Sequence, residues 1–212
     1  EITAGAIWED VPLGPPDAIL GIAQSFRDCQ DPRKVNVCVG AYRDHHGKPY
    51  VLPTVRSAER ILLEQNESKE YLPIEGDIEF IECAMKFAYG SDMQLEHLAA
   101  VQTLSGTGAC RVGATFLSQF WPRHPIYVPN PTWGNHINIF QVCGLDVRRY
   151  RYYDRSKNAL DLRGMIHDLT RAPEGSIILL HACAHNPTGC DPTIEDWKQI
   201  VSVISEKEHV VF

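Results

Sequence analysis

The sequence predicts an α/β fold in which a mostly parallel sheet is sandwiched by helices, and three observations carry that expectation. Strand-like and helix-like stretches alternate along most of the 212 residues, the pattern of successive βα units. Ile177 to Leu180 is an unbroken apolar run, as suits a strand covered on both faces. Several predicted strands also end in turn chemistry, at Ser105-Gly106-Thr107-Gly108, Asn130-Pro131 and Asn186-Pro187-Thr188-Gly189. Open α/β sheets take their ligands at such carboxyl ends.

Taken in order, residues 1 to 14 hold Trp8 and Val11-Pro12-Leu13 without any period and read as an extended arm. Pro15-Pro16-Asp17 opens a helix, proline being tolerated in a first turn, with Ile19, Leu20, Ile22, Ala23 and Phe26 as its apolar face and Asp31-Pro32 as its end. Val35 to Val39 is a short strand finishing at Gly40, where glycine permits either a bulge or a close approach of backbone to a ligand. His45-His46-Gly47-Lys48-Pro49 is a hairpin-like turn with exposed histidines. A helix from Thr54 to about Asn66 turns Val55, Ala58, Ile61 and Leu62 inward, and the loop Tyr71 to Gly76 leads into a helix from Ile78 to Tyr89.

Ala100 to Leu104 is a predicted strand, Ser105 to Gly108 a tight turn and Ala109 to about Phe120 a helix. Strand, glycine turn and helix make an anion site, because amides at a helix amino terminus are unpaired and the helix dipole favours negative charge. Gly106-Thr107-Gly108 could instead begin a dinucleotide fingerprint, but the sixth position is Arg111, and the next strand, Ile126 to Val128, ends in Pro129-Asn130 with no acid for a ribose. Trp133 to Cys143 is a helix, and a tryptophan at its ligand-side start is either a core plug or a stacking platform. A strand from Val147 to Tyr152, a helix from Leu160 to Thr170, the strand at Ile177, a helix from Thr193 to about Lys207 and a buried strand from Val210 to Phe212 follow. Prolines at two ligand-side strand ends lead us to expect cis peptides at Asn130-Pro131 and Asn186-Pro187.

Composition excludes several classes. A formal net charge of −7, with Arg148-Arg149-Tyr150-Arg151 the longest basic cluster, argues against a nucleic-acid surface. Seven cysteines, at 29, 38, 83, 110, 143, 183 and 190, are odd in number and lack C-x-x-C spacing, so free thiols in a reducing compartment are expected. No apolar run approaches the length of a bilayer span and no secretory h-region stands near residue 1. We expect a soluble intracellular protein without membrane or nucleic-acid partners.

The string His181-Ala182-Cys183-Ala184-His185-Asn186-Pro187-Thr188-Gly189 resembles the signature of aspartate aminotransferases, members of the class I pyridoxal-phosphate-dependent aminotransferases. Val39-Gly40-Ala41-Tyr42-Arg43, Glu70-Tyr71-Leu72-Pro73-Ile74, Ser105-Gly106-Thr107-Gly108-Ala109 and Pro131-Thr132-Trp133-Gly134-Asn135-His136 are similar to further family motifs, in family order. The match runs from about Val11 to Phe212. The resemblance implies the pyridoxal-phosphate fold of type I, divided here into an arm at 1–14, part of a small domain at 15–48 and the first part of the large cofactor-binding domain at 49–212. It also implies pyridoxal 5′-phosphate as cofactor, a homodimer, a mitochondrial or cytoplasmic location, and amino transfer between L-aspartate and 2-oxoglutarate that yields oxaloacetate and L-glutamate.

Residue by residue, the resemblance assigns the cofactor phosphate to Ser105, Gly106 and Thr107, the ring face to Trp133 and the 3′ oxygen to Asn186. Tyr71 falls on a tyrosine whose hydroxyl reaches the neighbouring subunit's cofactor phosphate, and His136 on a histidine that orients the carboxylate partnering the ring nitrogen. Val39 and Gly40 border the substrate together with Trp133 and Asn186, and the Gly40 amide faces a substrate carboxylate. The family's Schiff-base lysine and substrate arginines correspond to positions beyond Phe212. The lysines at 34, 48, 69, 86, 157, 198 and 207 stand in polar turns or on solvated helix faces, and Ser156-Lys157-Asn158 only imitates the lysine motif. We therefore expect the first half of a longer enzyme, inactive alone. The alternatives are a catalytically silent ligand-binding relative and a metal site from His181, Cys183 and His185, which would share one strand face; no metal is the favoured expectation.

Overall fold

The computed structural model describes residues 11, 18–36, 40–90, 92 and 97–212. The arm at 1–14 apart from Val11, the helix opening at Pro15-Pro16-Asp17, and Val39 lie outside the described residues. The chain forms two compact units, Glu1–Glu70 and Tyr71–Phe212.

In the first unit, helix α1 (Ala18–Asp28) ends where Lys34 folds back over it. The Lys34 ammonium donates to the carbonyls of Phe26 at 2.8 Å and Cys29 at 2.6 Å and sits over the Phe26 ring, a cation at the negative end of a helix dipole. The turn expected near His45 forms with an antiparallel bridge between Arg43 and Pro49, and Asp44 accepts from the amides of His46 and Lys48. Helix α2 (Pro53–Gln65) starts on a proline and ends at a left-handed Asn66, but none of its residues is buried. The inward face expected for Val55, Ile61 and Leu62 is exposed because no described element of this unit covers it.

The second unit contains a fully parallel sheet with strand order β2-β1-β5-β6, built from β1 (Ile126–Asn130), β2 (Val147–Arg151), β5 (Ile177–Ile178) and β6 (Val210–Val211). Between β2 and β5 a small hairpin pairs β3 (Tyr153–Asp154) with β4 (Ala159–Leu160). Alternation along the strands feeds two cores. Ile126, Val128 and Ile177 point to one face with Ala114 and Phe140, from helices α4 (Ser105–Phe120) and α5 (Gly134–Val142). Tyr150 and Ile178 point to the other with Met165, Leu169, Ile200 and Ile204, from α6 (Leu162–Arg171) and α7 (Ile194–Glu206). This is the helix-sheet-helix sandwich the alternation predicts. Gly113 in α4 belongs to the packing: a Cβ there would stand 2.8 Å from the Phe212 ring, which fills the space beside Phe140.

Helix α7 starts with a complete capping box, Thr193 accepting from the Asp196 amide while the Asp196 carboxylate accepts from the Thr193 amide. Thr193→Ala should cost about 1 kcal/mol, read as a lower urea midpoint; an unchanged midpoint would show that the cap contributes nothing.

Several expected elements differ. The helix expected from Leu160 starts at Leu162, because Leu160 pairs with Tyr153 in the hairpin, and Val35 and Asn36 of the strand expected at 35–39 are not in a strand. Ala100 to Leu104 is not a strand; its segment pairs through Gln102 with the loop at Glu75 and Asp77 instead of with another strand. The tight turn Ser105 to Gly108 is the first turn of α4 itself, entered at Ser105 with φ 56°. Helix α3 (Ile78–Tyr89) has its expected bounds and is capped by Asp77, which accepts from the Phe80 amide.

Candidate cofactor site

In a parallel sheet each flanking helix runs opposite to the strands, so its amino terminus lies at their carboxyl ends. The amino termini of α4 and α5 and the segment leaving β5 are therefore at one end of this sheet.

At the start of α4, the Gly108 amide makes the first helical bond, to Leu104 O, and the Ser105 amide is turned back to Thr103 O. The amides of Gly106 and Thr107 donate to nothing among the described residues. Ser105, Gly106 and Thr107 are all exposed, and a Cβ added at Gly106 would meet nothing within 4 Å. Two free amides at the positive end of a 16-residue helix suit a phosphate.

At the start of α5, the chain leaves β1 through a cis Asn130-Pro131 peptide, as expected. Trp133 occupies the N-cap position, half-buried. Its ring meets the edge of His136 at 5.1 Å, and His136 in turn stacks on the buried Phe140 at 6.0 Å and exchanges a 2.9 Å hydrogen bond with Thr132. Trp133 is thus packed against His136 and partly exposed.

After β5 the backbone bends through residues 182–184, with Ala184 at φ 51°, and passes the second expected cis peptide, Asn186-Pro187. Asp191 holds the bend, accepting from the Ala184 amide at 2.7 Å and the His185 amide at 2.8 Å; those bonds keep its carboxyl below the ordinary carboxylate range. The bend overturns the shared strand face proposed for His181, Cys183 and His185. Cys183 turns out to solvent, while the His181 and His185 rings stack on each other at 4.4 Å. No group of three His, Cys, Asp or Glu side chains among the described residues could hold a metal ion.

The histidines link the two strand ends. His181 touches His136 at 5.3 Å between ring centroids, its Nδ1 accepts from the Asn186 amide at 3.1 Å, and His185 stacks on Tyr152 at 3.7 Å. Trp133, His136, His181 and Asn186 therefore form one connected network. Burial, and then the neighbouring His181, push His136 down to about 4; burial and the same neighbour push His185 to about 4, and burial lowers His181. The cluster is neutral at pH 7. Nε2 of His181 and of His185 is buried without a partner.

The Asn186 side chain is exposed beside this network, leaving an amide donor for a ligand oxygen. Free helix amides, an aromatic face and an amide donor at one end of a sheet fit a phosphorylated aromatic ring such as pyridoxal phosphate. Tyr71 is fully exposed at the head of its loop, and Gly40 is exposed in the first unit. Sequence reasoning missed His181, His185 and Asp191 as a network; the i, i+4 histidines and the acid six residues after His185 were the available signal.

Comparison with known proteins identifies the family. The family described as aminotransferase class I and II matches residues 32–212. The mitochondrial aspartate aminotransferase of Schizosaccharomyces pombe is 51% identical over 205 residues, covering 96% of this chain and 47% of that protein. The chain spans about half the length of the curated relatives it matches. Among solved structures, the broad specificity aminotransferase from Leishmania mexicana superposes with a TM-score of 0.95 at 46% identity, covering 100% of this chain and 53% of the other. An aromatic-amino-acid aminotransferase from Burkholderia pseudomallei, covalently bound to pyridoxal phosphate, has a TM-score of 0.91 at 36% identity, covering 97% and 52%. A family match over residues 32–212 and relatives about half identical along nearly the whole chain show that it belongs to the class I and II aminotransferases.

Proposed function

We propose that this chain is the cofactor-phosphate and ring-binding half of an aspartate aminotransferase, which moves an amino group between L-aspartate and 2-oxoglutarate to give oxaloacetate and L-glutamate. The observation that carries the reading is the connection of Trp133 and His136 to Asn186 through His181, at the sheet end where α4 leaves two amides free.

Pyridoxal 5′-phosphate supplies the electron-withdrawing ring on which amino transfer depends. The chain's own residues bind and orient. The amides of Gly106 and Thr107, with the Ser105 hydroxyl, hold the phosphate dianion. Trp133 would hold the ring face, and the Asn186 side chain would donate to the 3′ oxygen, drawing off its charge. His136, kept neutral by burial, donates or accepts one hydrogen bond without adding charge, as a residue orienting a carboxylate should. Val39 and Gly40 border the substrate, the Gly40 amide facing its carboxylate.

Tyr71 reaches the cofactor phosphate of a second subunit in a homodimer, and its full exposure supports that use. In this reading residues 1–14 are the arm, 15–48 part of the small domain and 49–212 the first part of the large cofactor-binding domain. The protein acts in the mitochondrion or the cytoplasm; no helix among the described residues is long and apolar enough to cross a membrane.

Among the described lysines, Lys48 and Lys69 are exposed. Lys34 binds helix carbonyls, while Lys86, Lys157 and Lys198 pair with Glu82, Asp154 and Glu195. We place the reactive lysine and the substrate arginines in the length of the relatives that this chain does not span.

The test is a visible absorbance band from bound pyridoxal phosphate in the full-length protein, followed by amino transfer from aspartate. Cofactor binding without transfer would make it a silent ligand-binding relative. Comparable rates for aspartate and an aromatic amino acid would refute narrow dicarboxylate specificity and leave transamination standing.

A further inference from the structure

Gln102 lies in the segment 98–104 that runs into α4 with no strand beside it. Its backbone amide donates to Glu75 O at 2.7 Å, and its side-chain Oε1 accepts from the Asp77 amide at 2.8 Å. Between these bonds sits Gly76, buried, with φ +101°; a Cβ there would come within 2.3 Å of Gln102 Cβ. Only glycine fits so close an approach at that backbone angle. Three consecutive residues thus close on one glutamine through two hydrogen bonds and a contact. Asp77 is at the same time the cap of α3, so the clasp is fixed to a helix end.

The two segments it joins both matter to the proposed site. Gln102 precedes Ser105 by three residues, and Glu75 follows Tyr71 by four. Leu72 and Ile74 on the loop, with Leu104, Gly108 and Arg111 on the α4 side, line one cleft between them. We infer that Gln102 is a positioning residue, which sets the first turn of α4 and the Tyr71 loop in register so that both reach their phosphates. The inference rests on the aminotransferase reading, which identifies the anion. In a homodimer it has a consequence: the turn serving one subunit's phosphate and the tyrosine serving the other's are held by the same side chain.

Gln102→Met keeps the length of the side chain and removes the acceptor, leaving the Asp77 amide unpaired, whereas Gln102→Glu keeps an acceptor oxygen. In the full-length protein, Gln102→Met should weaken pyridoxal phosphate binding about five- to tenfold, the range for one hydrogen bond, with pyridoxal binding little changed. Gln102→Glu should bind within about twofold of the unsubstituted protein. Because the effect passes through the loop, Gln102→Met combined with Tyr71→Phe should lose less than the product of the two single losses. Gln102→Asn, with its oxygen withdrawn by one methylene, makes the same test if the methionine variant does not fold. Unchanged pyridoxal phosphate affinity in both Gln102→Met and Gln102→Asn, or equal losses for pyridoxal and its phosphate, would overturn the inference. Failure of the unsubstituted protein to bind pyridoxal phosphate would instead sink the aminotransferase reading, and this inference with it.

Discussion

Gly106→Asp in the full-length protein should fold normally and lose pyridoxal phosphate by about a hundred- to a thousandfold. Gly106 is exposed and a Cβ there meets nothing within 4 Å, so the substitution brings no clash. A carboxylate in the first turn of a helix is favourable to the helix itself. Its effect falls on the ligand: two like charges about 4 Å apart at an effective dielectric of about 20 repel by roughly 4 kcal/mol, and about 1.4 kcal/mol is a factor of ten in affinity. Gly106→Asn, of the same shape and neutral, should lose little, and pyridoxal should bind all three proteins alike. Calorimetric titration of each protein with both ligands decides it. A loss shared equally by the asparagine variant, or by pyridoxal, would place the phosphate elsewhere.

The second large effect is acid lability. His185 is 1% exposed and is held at about 4, against 6.5 for a free imidazole, first by burial and then by His181. The folded state excludes a proton that the unfolded chain takes up below pH 6.5. Stability from this source is therefore complete above pH 6.5 and is lost as pH falls to about 4. A difference of that size corresponds to roughly 3 kcal/mol for one such histidine. His136 and His181 face His185 and oppose the charge, Asp191 favours it, and Tyr152 and Thr188 are neutral contacts. The carboxylates lowered by partners, Asp168 beside Arg151, Asp191 on its backbone amides, Asp154 beside Ser156 and Asp31 beside Arg33, act below pH 3.8 and are separable by their window. Urea midpoints should drop between pH 7 and 4.5, and His185→Phe, which keeps the stack on Tyr152 without a titrating group, should make that drop smaller, leaving the part due to His136, His181 and His209, which burial also lowers. An unsubstituted protein with a flat profile over that range would contradict the buried neutral stack.

The sequence carried the sheet well because its strands announce themselves twice, by apolar runs such as Ile177 to Leu180 and by the turns that end them. It was weaker wherever pairing rather than pattern decides. Ala100 to Leu104 has strand composition, yet no described strand lies beside it, and Gln102 bonds to a loop. Only Ile177–Ile178 count as β5, although the amides of Leu179 and Leu180 still donate to Tyr127 and Phe212. The apolar face of α2 was legible, but what would cover it was not. At the site, Trp133, His136 and Asn186 could be named from their motifs and the two cis prolines from their positions. The histidine stack could not, since alternation predicts a common face for residues 181, 183 and 185, and one left-handed residue at Ala184 moves Cys183 out of it.

The most direct measurement is a crystal structure of the full-length protein grown with pyridoxal 5′-phosphate. The phosphate should lie within hydrogen-bond distance of the Gly106 and Thr107 amides, the ring against Trp133 and the 3′ oxygen on the Asn186 side chain. A cofactor bound away from these residues, or joined to one of the lysines at 34, 48, 69, 86, 157, 198 or 207, would contradict it.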